Sequence, residues 1–223
     1  MPSGQRQMLA DFFDDCARRG DMSGFSEKEL PKVEALERLW AIAEGECVFE
    51  PGCGSGRLTE RLARAVGRRG QVIACDLAPE MARRARARVP LPNVDIRAAA
   101  ILDLELPDAH FDAIICFCAF PHLEELARTM ERFRRVLKPR GRFWISHTTG
   151  REELNAFHGN AGPAVRLHLL PDETEGRQLL SEAGFAVRQY HDSADGYWVL
   201  ATPARRIEAG SGQDRQEKTA GSP

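Results

Sequence analysis

The residues best able to do chemistry stand in two short stretches. Glu50-Pro51-Gly52-Cys53-Gly54-Ser55-Gly56 puts three glycines at alternate positions behind the apolar run Cys47 to Phe49. Glycine has no Cβ, so this spacing lets the chain turn sharply and lie close to a ligand. From Arg57 the spacing becomes helical, with Leu58, Leu62, Ala63 and Val66 on one face. Strand, turn and helix make the first βα unit of a nucleotide-binding sheet. Asp76 ends a second apolar run, Val72 to Cys75. A carboxylate there can accept both hydroxyls of an unphosphorylated ribose. A dinucleotide fingerprint needs its third glycine where Arg57 stands. Glu50, at the strand end, disfavours a pyrophosphate and favours a cation such as an amino-acid ammonium. A ribose, an ammonium and no phosphate describe S-adenosylmethionine.

Four motifs in order extend this reading: the glycine loop from Glu50 to Gly56, Asp76-Leu77-Ala78-Pro79-Glu80-Met81, Leu106-Pro107-Asp108-Ala109-His110-Phe111-Asp112, and Arg135-Val136-Leu137-Lys138-Pro139-Arg140-Gly141-Arg142. In these the chain resembles the class I (Rossmann-like) S-adenosylmethionine-dependent methyltransferases, and within them the small-molecule branch that includes the quinone-biosynthesis enzymes. The resemblance implies that Gly52, Gly54 and Gly56 bring backbone to the methionine part and ribose. It implies that Glu50 orders the loop and the ammonium, that Asp76 holds the ribose, and that Leu77 and Met81 wall the adenine. Ala100, Ile101 and Cys116 complete the expected cofactor contacts. Members of the family often carry an aspartate for the adenine amino group where alignment on Phe111-Asp112 puts Ala100. Adenine is then left to the backbone of Ile101 and to Asp103.

Methyl transfer is an in-line attack, so the protein must align two centres, exclude water and take a proton where the acceptor carries one. Residues after the fourth and fifth strands face the methyl group in such a fold. His122, His147 and His158 are expected on that rim, with His147 the leading base because neutral imidazole suits that task near pH 7. The same three histidines with Cys118 form a weaker metal reading without dedicated ligand spacing, so no metal site is assigned. Cys116 and Cys118 also admit a thiophilic element, although their neighbours read as core. A catalytically silent cofactor-binding protein is the alternative function. A nicotinamide-dependent domain is disfavoured by Arg57 and Glu50.

Bulk properties fit one α/β domain of 223 residues, 43% apolar, with a formal charge of −2. That balance gives no general attraction to nucleic acid or anionic membrane. Lysine occurs only at Lys28, Lys32, Lys138 and Lys218, and arginines cluster at 61–69, 83–88 and 132–135 among interleaved acids. Six cysteines, mostly on apolar strands, read as reduced thiols, and no long apolar segment spans a membrane. A cytoplasmic enzyme with a small-molecule acceptor follows, its oligomeric state open.

Element spacing predicts helices over 8–19, from about 26 or 31 to 43, 57–66, 79–88, 123–137, 151–158 and 173–183. Strands are expected at 47–49, 71–76, 93–97, 111–117, 142–147, 185–191 and 197–201. Alternation of strand and helix predicts a doubly wound seven-stranded sheet, mostly parallel, with one antiparallel strand from the closing hairpin. Residues 1–45 are expected to form an N-terminal helical lid, 46–203 the cofactor-binding domain, and 204–223 a disordered tail.

Overall fold

The computed structural model describes residues 3–204, with side chains from residue 4 onward. Seven strands form one sheet in the order β3-β2-β1-β4-β5-β7-β6. They are β1 (Cys47–Pro51), β2 (Gln71–Asp76), β3 (Val94–Ala98), β4 (Phe111–Phe117), β5 (Leu137–His147), β6 (Phe185–Ser193) and β7 (Gly196–Pro203). The β1–β2, β2–β3, β1–β4 and β4–β5 pairs are parallel, and β7 runs antiparallel to both β5 and β6. β7 is therefore the single reversed strand. β4, apolar except for Asp112, is covered on both faces, as a central parallel strand must be.

Helices lie on both faces. α2 (Leu30–Trp40), α3 (Arg57–Val66) and α4 (Pro79–Arg88) bury Leu36, Trp40, Leu58, Leu62, Ala82 and Ala85 against one face with Val48, Val72 and Ile115. The other face packs Phe49, Ile114 and Phe143 with Phe133 of α5 (Leu126–Val136) and Leu180 of α7 (Glu173–Glu182). The coverage switches side between β1 and β4, so a crevice opens at their carboxyl ends.

The two N-terminal helices serve different layers. α1 (Ser3–Arg19) lies over the strand tips, with Leu9 against Ala164 and Val165 and Cys16 against Ala78 and Met81. Asp14 of α1 accepts from the Glu80 N–H at 2.8 Å and so caps α4. α2 instead belongs to the sheet layer: Trp40 is fully buried and its indole donates to Ser146 Oγ at 3.1 Å.

Several boundaries differ from expectation, α2 among them, which ends at Trp40 and not at residue 43. α1 starts at Ser3, five residues before the predicted Met8. α5 starts at Leu126, because Phe120–His122 forms a separate 3-10 turn and Glu125 takes a left-handed φ of 40°. The expected turn Lys138-Pro139-Arg140-Gly141 lies inside β5 as an irregularity, with the register passing from Phe111↔Leu137 to Ala113↔Arg142. Lys138 Nζ reaches back to both Asp112 oxygens at 2.8 Å, which holds the bulge to β4. α6 (Arg151–Asn160) and the irregular stretch after it match the pattern. Asp172 caps α7 in a reciprocal capping box with Glu175. The predicted tail lies outside the described residues except Ala204, whose N–H donates to Gly184 O at 2.9 Å.

Candidate active site

At the crevice the glycine loop is tied down by backbone. The N–H groups of Gly52 and Cys53 both donate to Cys75 O, at 2.8 and 2.9 Å. Gly52 has φ +71°, and a Cβ there would stand 2.5 Å from Ala119 Cβ, so this loop and the segment after β4 touch only through glycine. Gly54 has φ +54° with open space where its Cβ would be, which makes it a cradle for a ligand. Gly56 does different work from that expected. A Cβ there would lie 2.9 Å from Ala85 Cα, so it lets α3 approach α4 and does not line the cavity.

Asp76 closes the loop from the next strand. Its Oδ2 accepts from Gly54 N–H at 2.7 Å and its Oδ1 from Ala78 N–H at 2.9 Å. Burial nevertheless pushes its carboxyl up to about 6, against those two bonds. Glu50 lies deeper, accepts from Thr59 Oγ1 at 2.6 Å, and is pushed up to about 8, chiefly by burial with Asp76 adding to it. Each buried acid thus lacks a compensating cation among the described residues, while Asp76 retains lone pairs for further donors. These acceptors fit a ligand with hydroxyls and an ammonium.

Together these groups line a cavity with about 890 Å³ of empty space, its open mouth included. Glu50, Gly52, Gly54, Asp76, Leu77, Met81, Ala100 and Ile101 all stand in its wall. Cys116 does not: it is fully buried inside the sheet, and the chain past the strand end lines the wall through Phe117, Cys118 and Ala119. Burial raises both thiols, Cys118 to about 11, so neither is a thiolate near neutral pH.

Arg57, the residue where a third glycine was missing, holds the cover in place. Its guanidinium lies 4.5 Å from the Phe25 ring centroid and donates to Gly24 O at 3.0 Å and Glu29 at 3.2 Å. Ser55 Oγ donates to Met22 O at 2.7 Å. Leu9 and Phe13 of α1 complete the roof.

The histidines meet, but not as the sequence suggested. Only His122 lines the cavity, against Phe13 at 5.1 Å between ring centroids. His147 stands behind the wall at the end of β5, 3% exposed and packed near Tyr197, with no partner for its Nε2 among the described residues. Burial pushes it down to about 3, which makes it a poor base at neutral pH. His158 is also behind the wall, its ring 4.9 Å from that of His122 and its Nδ1 turned to His168 O. His168, which no sequence pattern marked, joins them: its Nδ1 lies 2.9 Å from His122 Nδ1. Burial lowers both of these imidazoles, His122 well below its usual range, with neighbouring histidines adding to the effect. Among the described residues no group of three His, Cys, Asp or Glu side chains is placed to hold a metal ion.

Two further side chains went unmarked. Arg6 and Glu124 are paired at the cavity edge, and neither sits in a recognisable motif. Among the described residues no helix is long and apolar enough to cross a membrane.

A doubly wound sheet with a glycine loop, a buried acid at the end of β2 and a wide crevice at the switch point has the architecture of nucleotide-binding α/β domains. Residues 49–145 match the family model described as a methyltransferase domain. The chain is 35% identical over 125 residues to a 2-phytyl-1,4-naphtoquinone methyltransferase of Trichormus variabilis, covering 53% of this chain and 55% of the relative. It spans about half the length of such curated relatives. A ubiquinone/menaquinone biosynthesis C-methyltransferase of Hydrogenovibrio crunogenus is 26% identical over 208 residues, covering 81% of each chain. The crystal structure of a SAM-dependent methyltransferase from Aquifex aeolicus superposes with a TM-score of 0.69 at 24% identity, over 86% of this chain and 98% of that one. Residues 49–145 thus match a methyltransferase domain, and the chain is similar in sequence and in fold to S-adenosylmethionine-dependent methyltransferases.

Proposed function

We propose that this protein transfers the methyl group of S-adenosylmethionine to a small-molecule acceptor, a quinol-type ring being the best match. When bound, S-adenosylmethionine supplies an electrophilic methyl on a sulfonium. Gly52 and Gly54 admit its amino-acid part, Asp76 accepts from its ribose, and Glu50 lies where an ammonium restores the charge that burial suppresses. The observation that carries the reading is the single cavity running from these acids to His122. The quinol preference rests on the relatives' substrates and on the apolar residues Phe13 and Leu123 near that histidine.

His122 is the base candidate, in place of His147. With Nδ1 engaged by His168, its Nε2 is the nitrogen left for an acceptor hydroxyl. A proton taken at Nε2 is offset by passing the Nδ1 proton to His168 Nδ1, and His168 is the less buried of the two. The charge thereby leaves the apolar cavity.

Calorimetry with S-adenosylmethionine, followed by a methyl-transfer assay with reduced naphthoquinones and benzoquinones, tests the reading. Binding with turnover is expected, and binding without turnover on any quinol would remove the acceptor assignment. His122→Gln is expected to lower turnover about 100-fold or more while cofactor affinity stays within about threefold. Equal turnover would remove His122 from the proposed chemistry.

A further inference from the structure

The base end of the cavity lacks a side-chain acceptor at Ala100, and a different acid stands beside it. Asp76 marks the sugar, and Leu77 and Met81 lie just beyond it. On the β3 side of the sheet the wall continues through Ala99, Ala100 and Ile101. Glu124 reaches the same edge from the opposite side of the crevice, on the segment between β4 and α5. Arg6 fixes this juxtaposition, because its guanidinium donates to Asp103 Oδ2 at 2.8 Å and to Glu124 Oε2 at 2.6 Å. Asp103 belongs to the 3-10 turn Ile101–Asp103, so Glu124 is held at the base end and not at the methionine end.

Glu124 is only 5% exposed and lies in the cavity wall. Its Oε2 is taken by Arg6, whereas its Oε1 is buried with no hydrogen-bond partner among the described residues. A buried carboxylate oxygen left without a donor is costly in any fold. A ligand carrying an N–H at that edge removes the cost.

We infer that Glu124 Oε1 accepts the exocyclic amine of the bound nucleoside's base, in place of the acid absent at position 100, with Arg6 as its positioning residue. The inference rests on the nucleoside reading of the cavity. It assigns base selectivity to a residue after β4 instead of one after β3. Adenine presents an N–H at its six position, and hypoxanthine presents a carbonyl oxygen there that a carboxylate repels. Asp103 is the rival acceptor, but its side chain is 60% exposed and already shares Arg6.

The test is calorimetry with S-adenosylhomocysteine and S-inosylhomocysteine. The unmodified protein is expected to prefer the adenosyl compound by about tenfold or more, as a hydrogen bond to a charged acceptor gives. Glu124→Gln, whose amide can turn either its oxygen or its nitrogen to the base, is expected to bring the two affinities within about threefold. Asp103→Asn is expected to keep the preference. Equal affinities in the unmodified protein would overturn the inference without any variant, and so would a preference lost in Asp103→Asn but kept in Glu124→Gln. Binding of neither compound would overturn the nucleoside reading itself, which is a distinguishable failure.

Discussion

The two ends of the cavity hold their titratable groups in opposite senses. At the β1 and β2 tips two acids are buried, Glu50 pushed up to about 8 and Asp76 to about 6. At the β4 and β5 tips histidines are pushed down, His147 to about 3. The folded acids keep protons that the unfolded chain releases, so the acid end loses stability as pH rises from about 4 through about 8. The folded histidines refuse protons that the unfolded chain accepts below about 6.5, so the other end loses stability as pH falls. The contrast teaches a division of labour. The acid end is incomplete until a cation and hydroxyl donors arrive, whereas the histidine end stays neutral, so a proton taken at His122 has to be passed on to His168 and not held there.

The largest effect that can break this contrast is at Asp76. Asp76→Ala removes both the loop-closing bonds to Gly54 and Ala78 and the expected ribose bonds. Affinity for S-adenosylhomocysteine is expected to fall about 100-fold or more, since each charge-assisted bond contributes about 1.5–3 kcal/mol. An unchanged affinity by calorimetry would mean that the acid end is not a ligand site. Gly52→Ala comes next, at about 3 kcal/mol of stability, because a Cβ at φ +71° meets Ala119 at 2.5 Å. Gly54→Ala meets open space but still strains a backbone at φ +54°, so chemical denaturation is expected to show a smaller loss, about 1 kcal/mol, while ligand affinity drops. An unchanged ligand affinity in Gly54→Ala would show that the open space beside Gly54 is not a cradle.

Glu50→Gln sharpens the comparison from the other direction. A neutral amide keeps an oxygen for Thr59 and removes the cost of ionising a buried group. Stability of the ligand-free protein at pH 8 is expected to rise by about 2 kcal/mol, while affinity for the ammonium-bearing ligand falls. In the unmodified protein ligand binding at pH 7 is expected to release a proton, and affinity to strengthen as pH rises toward 8. Calorimetry in two buffers of different ionisation enthalpy measures that release, and no proton exchanged would place the ammonium elsewhere.

These two ends also differ in how much of them the sequence disclosed. The acid end was legible because backbone geometry constrains residue type there: only glycine suits Gly52, and a strand-ending acid must stand one βα unit later. The bounds of β2, α4 and β4 follow from apolar runs and from Pro79 at a helix start. The histidine end depends on tertiary placement. No periodicity tells that His147 faces Tyr197 while His122 faces the cavity, or that the irregular stretch around His168 folds back on both. Gly56 was misread for a related reason, since a glycine needed for helix approach and one needed for ligand approach look alike in one sequence. Arg6 and Glu124 lie 118 positions apart, and only the fold brings them together.

The smallest predicted effect isolates the histidine end. His147 is fully enclosed, and its lowered pKa means that acidification asks the folded chain to protonate a group with no room for the charge. His147→Phe keeps a ring against Tyr197 and removes that demand along with the partnerless Nε2. Between pH 7 and pH 5.5 the unmodified protein is expected to lose about 1 kcal/mol more stability than the variant, by urea denaturation at each pH. A residual acid loss is expected to persist in the variant, because burial also lowers His122 and His168. Affinity for S-adenosylhomocysteine is expected to stay unchanged, since His147 lies outside the cavity wall. If the two proteins lost stability in parallel, His147 would titrate alike in the folded and unfolded chains. The opposition between the two ends would then rest on His122 and His168 alone.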